Sequence, residues 1–249
     1  MAVNKNSTSY IYTFTVILVG VVAAILAGLS VGLKDLQTEN VMDEKRKFIL
    51  KAAGIMGRDE SLTKEEVKSK YESAKIADAV LSFSGSPISE ESISAFNLDI
   101  VKEYKSSPNK EERKYPIFVL KGADDKNKFV IPMAGKGLWG PVWAYVAVDS
   151  DANSVFGAVF DHKSETPGLG AEIKDGEYFW RQFDLEKGKK ISDASGEYQG
   201  ISAIKGGGTK DNPHGIDGIA GATITSVGVG EMLKSSFEVY LDYMKDFKN

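Results

Sequence analysis

Asp217-Gly-Ile-Ala-Gly-Ala-Thr223, continued by Ile-Thr-Ser226, is the stretch from which the rest of the chain is best read. Gly218, Ala220, Gly221 and Ala222 are small enough to let a bulky group approach the backbone. Three hydroxyls follow, on Thr223, Thr225 and Ser226. Beyond them Val229, Leu233, Phe237, Tyr240 and Met244 recur at helical spacing, which predicts a long helix over residues 227–245. A helix start offers free N–H groups and the positive end of the dipole, and these suit a phosphate. The same hydroxyls also serve as ordinary N-caps. Physical reasoning alone leaves both readings open.

Two other glycine-rich stretches stand upstream, Gly135-Lys-Gly-Leu-Trp-Gly140 and Glu165-Thr-Pro-Gly-Leu-Gly170. None of the three has the spacing of a P-loop or of a dinucleotide fingerprint. Trp139 is a candidate for stacking on a planar ring, whereas Trp143 and Tyr145 fall on a strand and read as core. Thr166, Gly168 and Leu169 either contact a ligand through backbone N–H groups and apolar packing or form a tight Pro-Gly turn, with Glu165 bracing that turn.

Around these loops, residues 117–120 and 129–133 read as strands, and 141–148 and 155–162 as a hairpin turning at 149–153. Residues 172–183 read as an amphipathic helix and 201–205 as one more strand. Strands that come in adjacent pairs favour an α+β fold with an antiparallel sheet over a parallel doubly wound one. Nearer the N-terminus, residues 35–57 read as a helix, and Thr63-Lys-Glu-Glu66 fits a capping box. Residues 102–114 are charge-rich and read as a loop.

Residues 11–33 form an uncharged apolar run, long enough at about 1.5 Å per residue to cross a bilayer. Tyr10 and Tyr12 suit an interfacial belt, and the run exceeds the apolar region of a cleaved signal peptide. An uncleaved single-pass anchor is therefore expected. Lys5 stands alone before it, while Lys34, Lys45, Arg46, Lys47 and Lys51 follow it among several acids. That charge count, taken naively, puts the large domain in the cytoplasm, but most of these positives lie far from the span.

The net charge of −4 gives no basic footprint for nucleic acid. The chain has no cysteine, so it carries no disulfide, no cysteine-ligated iron–sulfur cluster and no CxxCH haem. An electron-carrying role would need an organic cofactor. Its two histidines, His162 and His214, give no metal-site pattern, and no acid/base or nucleophile constellation is evident.

The sequence 217–223 resembles the Asp-x-x-(Ser/Thr)-Gly-Ala-Thr signal read by bacterial flavin transferases, with Ala220 where a hydroxyl is usual. With the other two glycine loops in the same order, the chain is similar to the C subunit of the sodium-translocating NADH:quinone reductase. The G subunit of the related Rnf complex shares the Glu165 loop but usually not Gly-Leu-Trp-Gly. The resemblance covers the anchor and most of residues 110–245. It implies an α+β FMN-binding domain with an antiparallel sheet and flanking helices, and FMN joined through its phosphate to Thr223, with Thr225 as the fallback acceptor.

Asp217, Gly221, Ala222, Thr225, Thr166, Gly168, Leu169 and Trp139 are then the other candidate FMN contacts. The expected organisation is a tail over 1–10, the anchor over 11–33, a helix-bearing membrane-proximal region over 34–110 and the FMN-binding domain over 111–249. The implied partners are the other reductase subunits, a flavin transferase and the lipid bilayer. The implied place is the bacterial inner membrane, with the soluble domain on the periplasmic side, against the charge count. The alternatives are an Rnf-type electron-transport protein and a membrane-anchored FMN-binding sensor or scaffold.

Overall fold

A computed structural model describes residues 7–90, 92–207 and 209–248. Lys5 and the rest of the tail before Ser7 lie outside the described residues. The chain divides into two compact units, residues 1–45 and 46–249. The first holds helix α1 (Thr8–Gly32), whose Ser7 cap accepts a hydrogen bond from the Tyr10 N–H. No residue of α1 is buried, and its length and composition are those of a membrane-crossing helix. A single-residue break at Leu33 precedes α2 (Lys34–Ala52).

The second unit is built on a five-stranded antiparallel sheet. Helix α3 (Lys64–Ala74) starts at the expected capping box, in which Thr63 and Glu66 bond each other's backbone reciprocally. It runs directly into β1 (Lys75–Leu81). Helix α4 (Ile100–Ser106) follows, and then β2 (Tyr115–Lys121), β3 (Asn127–Lys136), β4 (Pro141–Val148) and β5 (Val155–His162). The strands pair in chain order, β1-β2-β3-β4-β5. The sheet thus begins before residue 111, inside the stretch read as membrane-proximal.

Alternation along the strands splits the apolar side chains between two cores. Ile117, Val119, Ile131 and Val146 face one way, Phe118, Leu120, Val130, Tyr145 and Ala147 the other. The first core is closed by Val229, Leu233 and Phe237, the second by Ile49, Leu50, Val67 and Tyr71. Burial on both faces explains why the strands read as near-continuous apolar runs.

After the sheet come α5 (Glu172–Asp175) and α6 (Glu177–Trp180), then β6 (Ser202–Ile204) and β7 (Gly215–Asp217), which pair in parallel, and finally α7 (Thr223–Lys248).

Three local expectations change. Residues 172–183 are not one helix, because Gly176 is extended (φ −79, ψ 103) and splits it into α5, α6 and a 3₁₀ turn. Residues 102–114 are not one loop, because the Asp99 carboxylate accepts from the N–H groups of Val101 and Lys102 and starts α4. Helix α7 starts at Thr223 rather than at 227, so the hydroxyl cluster lies within its first turn.

Candidate functional site

The sheet register brings two of the glycine loops together. Lys136 pairs with Pro141, so residues 137–140 form the turn of the β3–β4 hairpin. Val142 pairs with His162, so residues 163–170 leave β5 beside that turn, and the Lys163 N–H donates to the Pro141 carbonyl at 3.1 Å. The third stretch is the turn between β7 and α7, and it meets the Glu165 loop where Leu169 packs against Gly221.

That turn is closed by its own backbone and by one of its hydroxyls. The Gly218 N–H donates to Ile204 O and the Ala222 N–H to Ile219 O, each at 3.0 Å. Gly221 has φ +78, a conformation that a side chain rarely adopts, and Leu169 packs where a Cβ would stand. Ser226 Oγ accepts from the Ile219 N–H at 2.9 Å and donates to Ala222 O at 3.0 Å. Thr225, only 1% exposed, donates its hydroxyl to Glu165 Oε2 at 2.7 Å. Thr223 stands outside this network with its side chain exposed. Two of the three hydroxyls are therefore structural, and Thr223 is the one that a large external group can reach. Ala222, just before the helix, has no side-chain oxygen to satisfy the first-turn N–H groups, which remain as the positive end of a 26-residue helix.

Asp217 turns its carboxylate to a neighbouring loop. Its Oδ1 accepts from the Thr209 N–H (2.9 Å) and hydroxyl (2.6 Å). Its main chain pairs twice with the Gln182 amide, at 2.6 and 3.1 Å. Beneath lies Lys189, which donates to the carbonyls of Thr209 (3.1 Å) and Asn212 (2.9 Å). Burial holds its ammonium below the usual lysine range, and the Asp217 charge pulls in the opposite direction. Gln182 and Lys189 carried no sequence signal, because each acts through backbone partners far away in the chain, and Thr209 carried none because only the folded loop brings it to the Asp217 carboxylate.

Glu165 does more than brace its own turn. Its carboxylate, 5% exposed, accepts the Trp139 N–H at Oε1 (2.8 Å) and the Thr225 hydroxyl at Oε2. The Glu165 N–H donates to His162 Nδ1 at 3.1 Å. Thr166 O accepts from the N–H groups of Leu169 and Ala171, each at 3.1 Å, and Gly168 takes φ +74, so residues 166–171 are a tight turn. Trp139 is 65% exposed, and Leu138, Leu169, Ile224 and Val227 are exposed with it. Trp143 and Tyr145 lie on β4 and pack into the second core.

The family model for the FMN-binding domain matches residues 137–238, which include the Trp139 loop, the Glu165 loop and the turn into α7. The C subunit of the Na(+)-translocating NADH-quinone reductase from Neisseria meningitidis is 31% identical over 100% of this chain and 98% of its own length. The chain belongs to this C-subunit family. The Vibrio anguillarum member is also 31% identical, over 92% of this chain and 90% of its own. The crystal structure of the family's member from Parabacteroides distasonis superposes with a TM-score of 0.70 at 35% identity, covering 85% of this chain and 96% of that one. Shewanella oneidensis NqrC, at 22% identity, has the same fold (TM-score 0.66, covering 82% and 98%).

The residues present fit an FMN. An exposed hydroxyl at a positive helix end suits the phosphate, and exposed apolar side chains on two adjoining loops suit a planar ring.

Proposed function

We propose that this chain is the electron-relay subunit of a membrane NADH:quinone reductase coupled to sodium export, and that it carries FMN in phosphoester linkage to Thr223. One observation carries the reading. Of the hydroxyls at the start of α7, Thr223 is exposed while Thr225 and Ser226 are buried and bonded. Bound FMN supplies reversible electron transfer at its ring, which no side chain of this cysteine-free protein provides.

The chain's own part is to position the cofactor. The first-turn N–H groups of α7 would hold the phosphate, and Gly221 lets Leu169 pack against the turn. Trp139 and Leu169 offer apolar surface to the ring. Asp217 holds Thr209 and the loop beside the turn, and in doing so presents Thr223 to a flavin transferase. Helix α1 anchors the protein in the bacterial inner membrane beside the other reductase subunits, with residues 46–249 on the periplasmic side. Electrons pass from NADH towards a quinone such as ubiquinone.

Two variants in native membranes test the assignment. Thr223→Val is expected to abolish flavin fluorescence that survives denaturation, and to abolish NADH-dependent quinone reduction by the complex. Thr225→Val is expected to retain the covalent fluorescence. The reverse pattern would move the acceptor to Thr225.

A further inference from the structure

Glu165 bonds to both the Trp139 loop and the start of α7, and it does so from a buried carboxylate. Its Oε1 holds the Trp139 N–H at 2.8 Å, and its Oε2 holds the Thr225 hydroxyl at 2.7 Å, two residues past Thr223. Glycines make room for it. A Cβ at Gly137 would lie 2.5 Å from Oε1, and a Cβ at Gly170 would lie 2.8 Å from Thr225 Oγ1. The carboxylate is itself aimed from behind, because its own N–H donates to His162 Nδ1 at 3.1 Å. His162 is the last residue of β5 and is tied to Val142 across the sheet, so the origin of the chain of bonds is rigid. Ser164 adds a parallel tie, donating its hydroxyl to the Trp139 carbonyl at 3.0 Å.

We infer that His162 and Glu165 form a clasp that fixes the Trp139 loop relative to Thr223, making them positioning residues for the flavin. The inference rests on the FMN reading above. Charge-assisted hydrogen bonds to a buried carboxylate are among the stronger ones, and two of them at one carboxylate hold two chain segments in register. The clasp gives His162 a use that requires no metal, since an unprotonated Nδ1 is the acceptor it needs. It also makes the buried Thr225 hydroxyl a partner of Glu165 in the scaffold around the cofactor.

The test uses the full chain in detergent, with and without FMN, and reads amide hydrogen exchange. Glu165→Ala is expected to speed exchange at the Trp139 amide by about tenfold or more. In the FMN-loaded protein it is expected to shrink the visible circular dichroism of the flavin, which reports a fixed ring environment. Glu165→Gln, which keeps the Oε1 acceptor, is expected to stay close to wild type at the Trp139 amide. His162→Leu is expected to speed exchange at the Glu165 amide, and His162→Asn, whose Oδ1 stands near the Nδ1 position, to restore it.

Unchanged Trp139 exchange and an unchanged flavin signal in Glu165→Ala, with FMN still on Thr223, would overturn the clasp alone. A wild-type protein lacking FMN on Thr223 would overturn the clasp together with the reading it rests on. If Glu165→Ala does not fold, the His162→Leu and His162→Asn pair decides, and equal exchange in the two would overturn the inference.

Discussion

Replacing Gly230 by alanine probes how α7 is seated. Gly230 lies in the helix interior, where alanine is the better helix former by about 1 kcal/mol. On propensity alone the variant should be more stable. A Cβ there, however, would stand 2.5 Å from the Ala203 backbone nitrogen and 3.2 Å from the Ala203 Cβ. Ordinary van der Waals contact begins near 3.4 Å, so the helix must lift from β6 by close to 0.9 Å. The obstacle is backbone in a paired strand, not the end of a flexible side chain, so neither element can give cheaply. Overpacking of this kind costs about 1–3 kcal/mol, and more when both sides are backbone. Set against the propensity gain, we expect a net loss of about 1–2 kcal/mol. For a unit of this size that is a fall in Tm of about 3–6 °C. Thermal unfolding of the full chain in detergent, followed by circular dichroism, measures it. Gly228→Ala, whose Cβ would collide with the Lys136 carbonyl oxygen at the edge of the Trp139 loop, should fall further. A Tm at or above wild type in both variants would refute the close seating of α7 on β6 and β3, and with it the geometry that presents Thr223.

Further outcomes follow from other contacts. Thr225→Val leaves Glu165 Oε2 buried without a donor and should cost about 1–3 kcal/mol while sparing flavin attachment, as thermal unfolding and in-gel fluorescence will read. Lys128 is fully buried, with its ammonium 2.7 Å from both Asp124 and Asp149, so Lys128→Met should destabilise by about 2–3 kcal/mol in urea unfolding at neutral pH. The Lys128 hydrogen bond holds the Asp124 carboxyl below the usual aspartate range. That contribution is fully present above the ordinary aspartate value and is lost as pH falls through the lowered one, so the gap between wild type and variant should narrow on acidification. Because the chain has no cysteine, Lys126→Cys, on an exposed turn, reports orientation alone. A membrane-impermeant maleimide should label it from the periplasmic side, and labelling only after lysis would reverse the proposed topology.

Much of this fold could be read in advance because it is written in local patterns. The four strands from 115 to 162 carry their own apolar runs and turns, and Thr63 and Glu66 spell out a helix start within four residues. β1 went unread because Lys75-Ile-Ala-Asp-Ala-Val-Leu81 has no strong alternation. It is a strand because Tyr115–Lys121 lies beside it. β6 falls inside the strand expected at 201–205, whereas β7, three residues long, is too short for any periodicity to register.

At the site, the three glycine loops and the hydroxyl cluster were visible, but the cluster's division of labour was not. Whether Thr223 or Thr225 faces solvent depends on where the Glu165 carboxylate lies, sixty residues away in the chain. The same holds for Asp217. Its place in the sequence pattern suits a residue read by a flavin transferase, and its carboxylate also holds Thr209, a contact that only the folded loop creates.

Covalent attachment of FMN to Thr223 is tested most directly by intact and peptide mass spectrometry of the protein from native membranes. The predicted result is the mass of one FMN phosphoester on the peptide holding Thr223, with fragment ions placing it on that residue and not on Thr225. An unmodified peptide, or an adduct on Thr225, would contradict it.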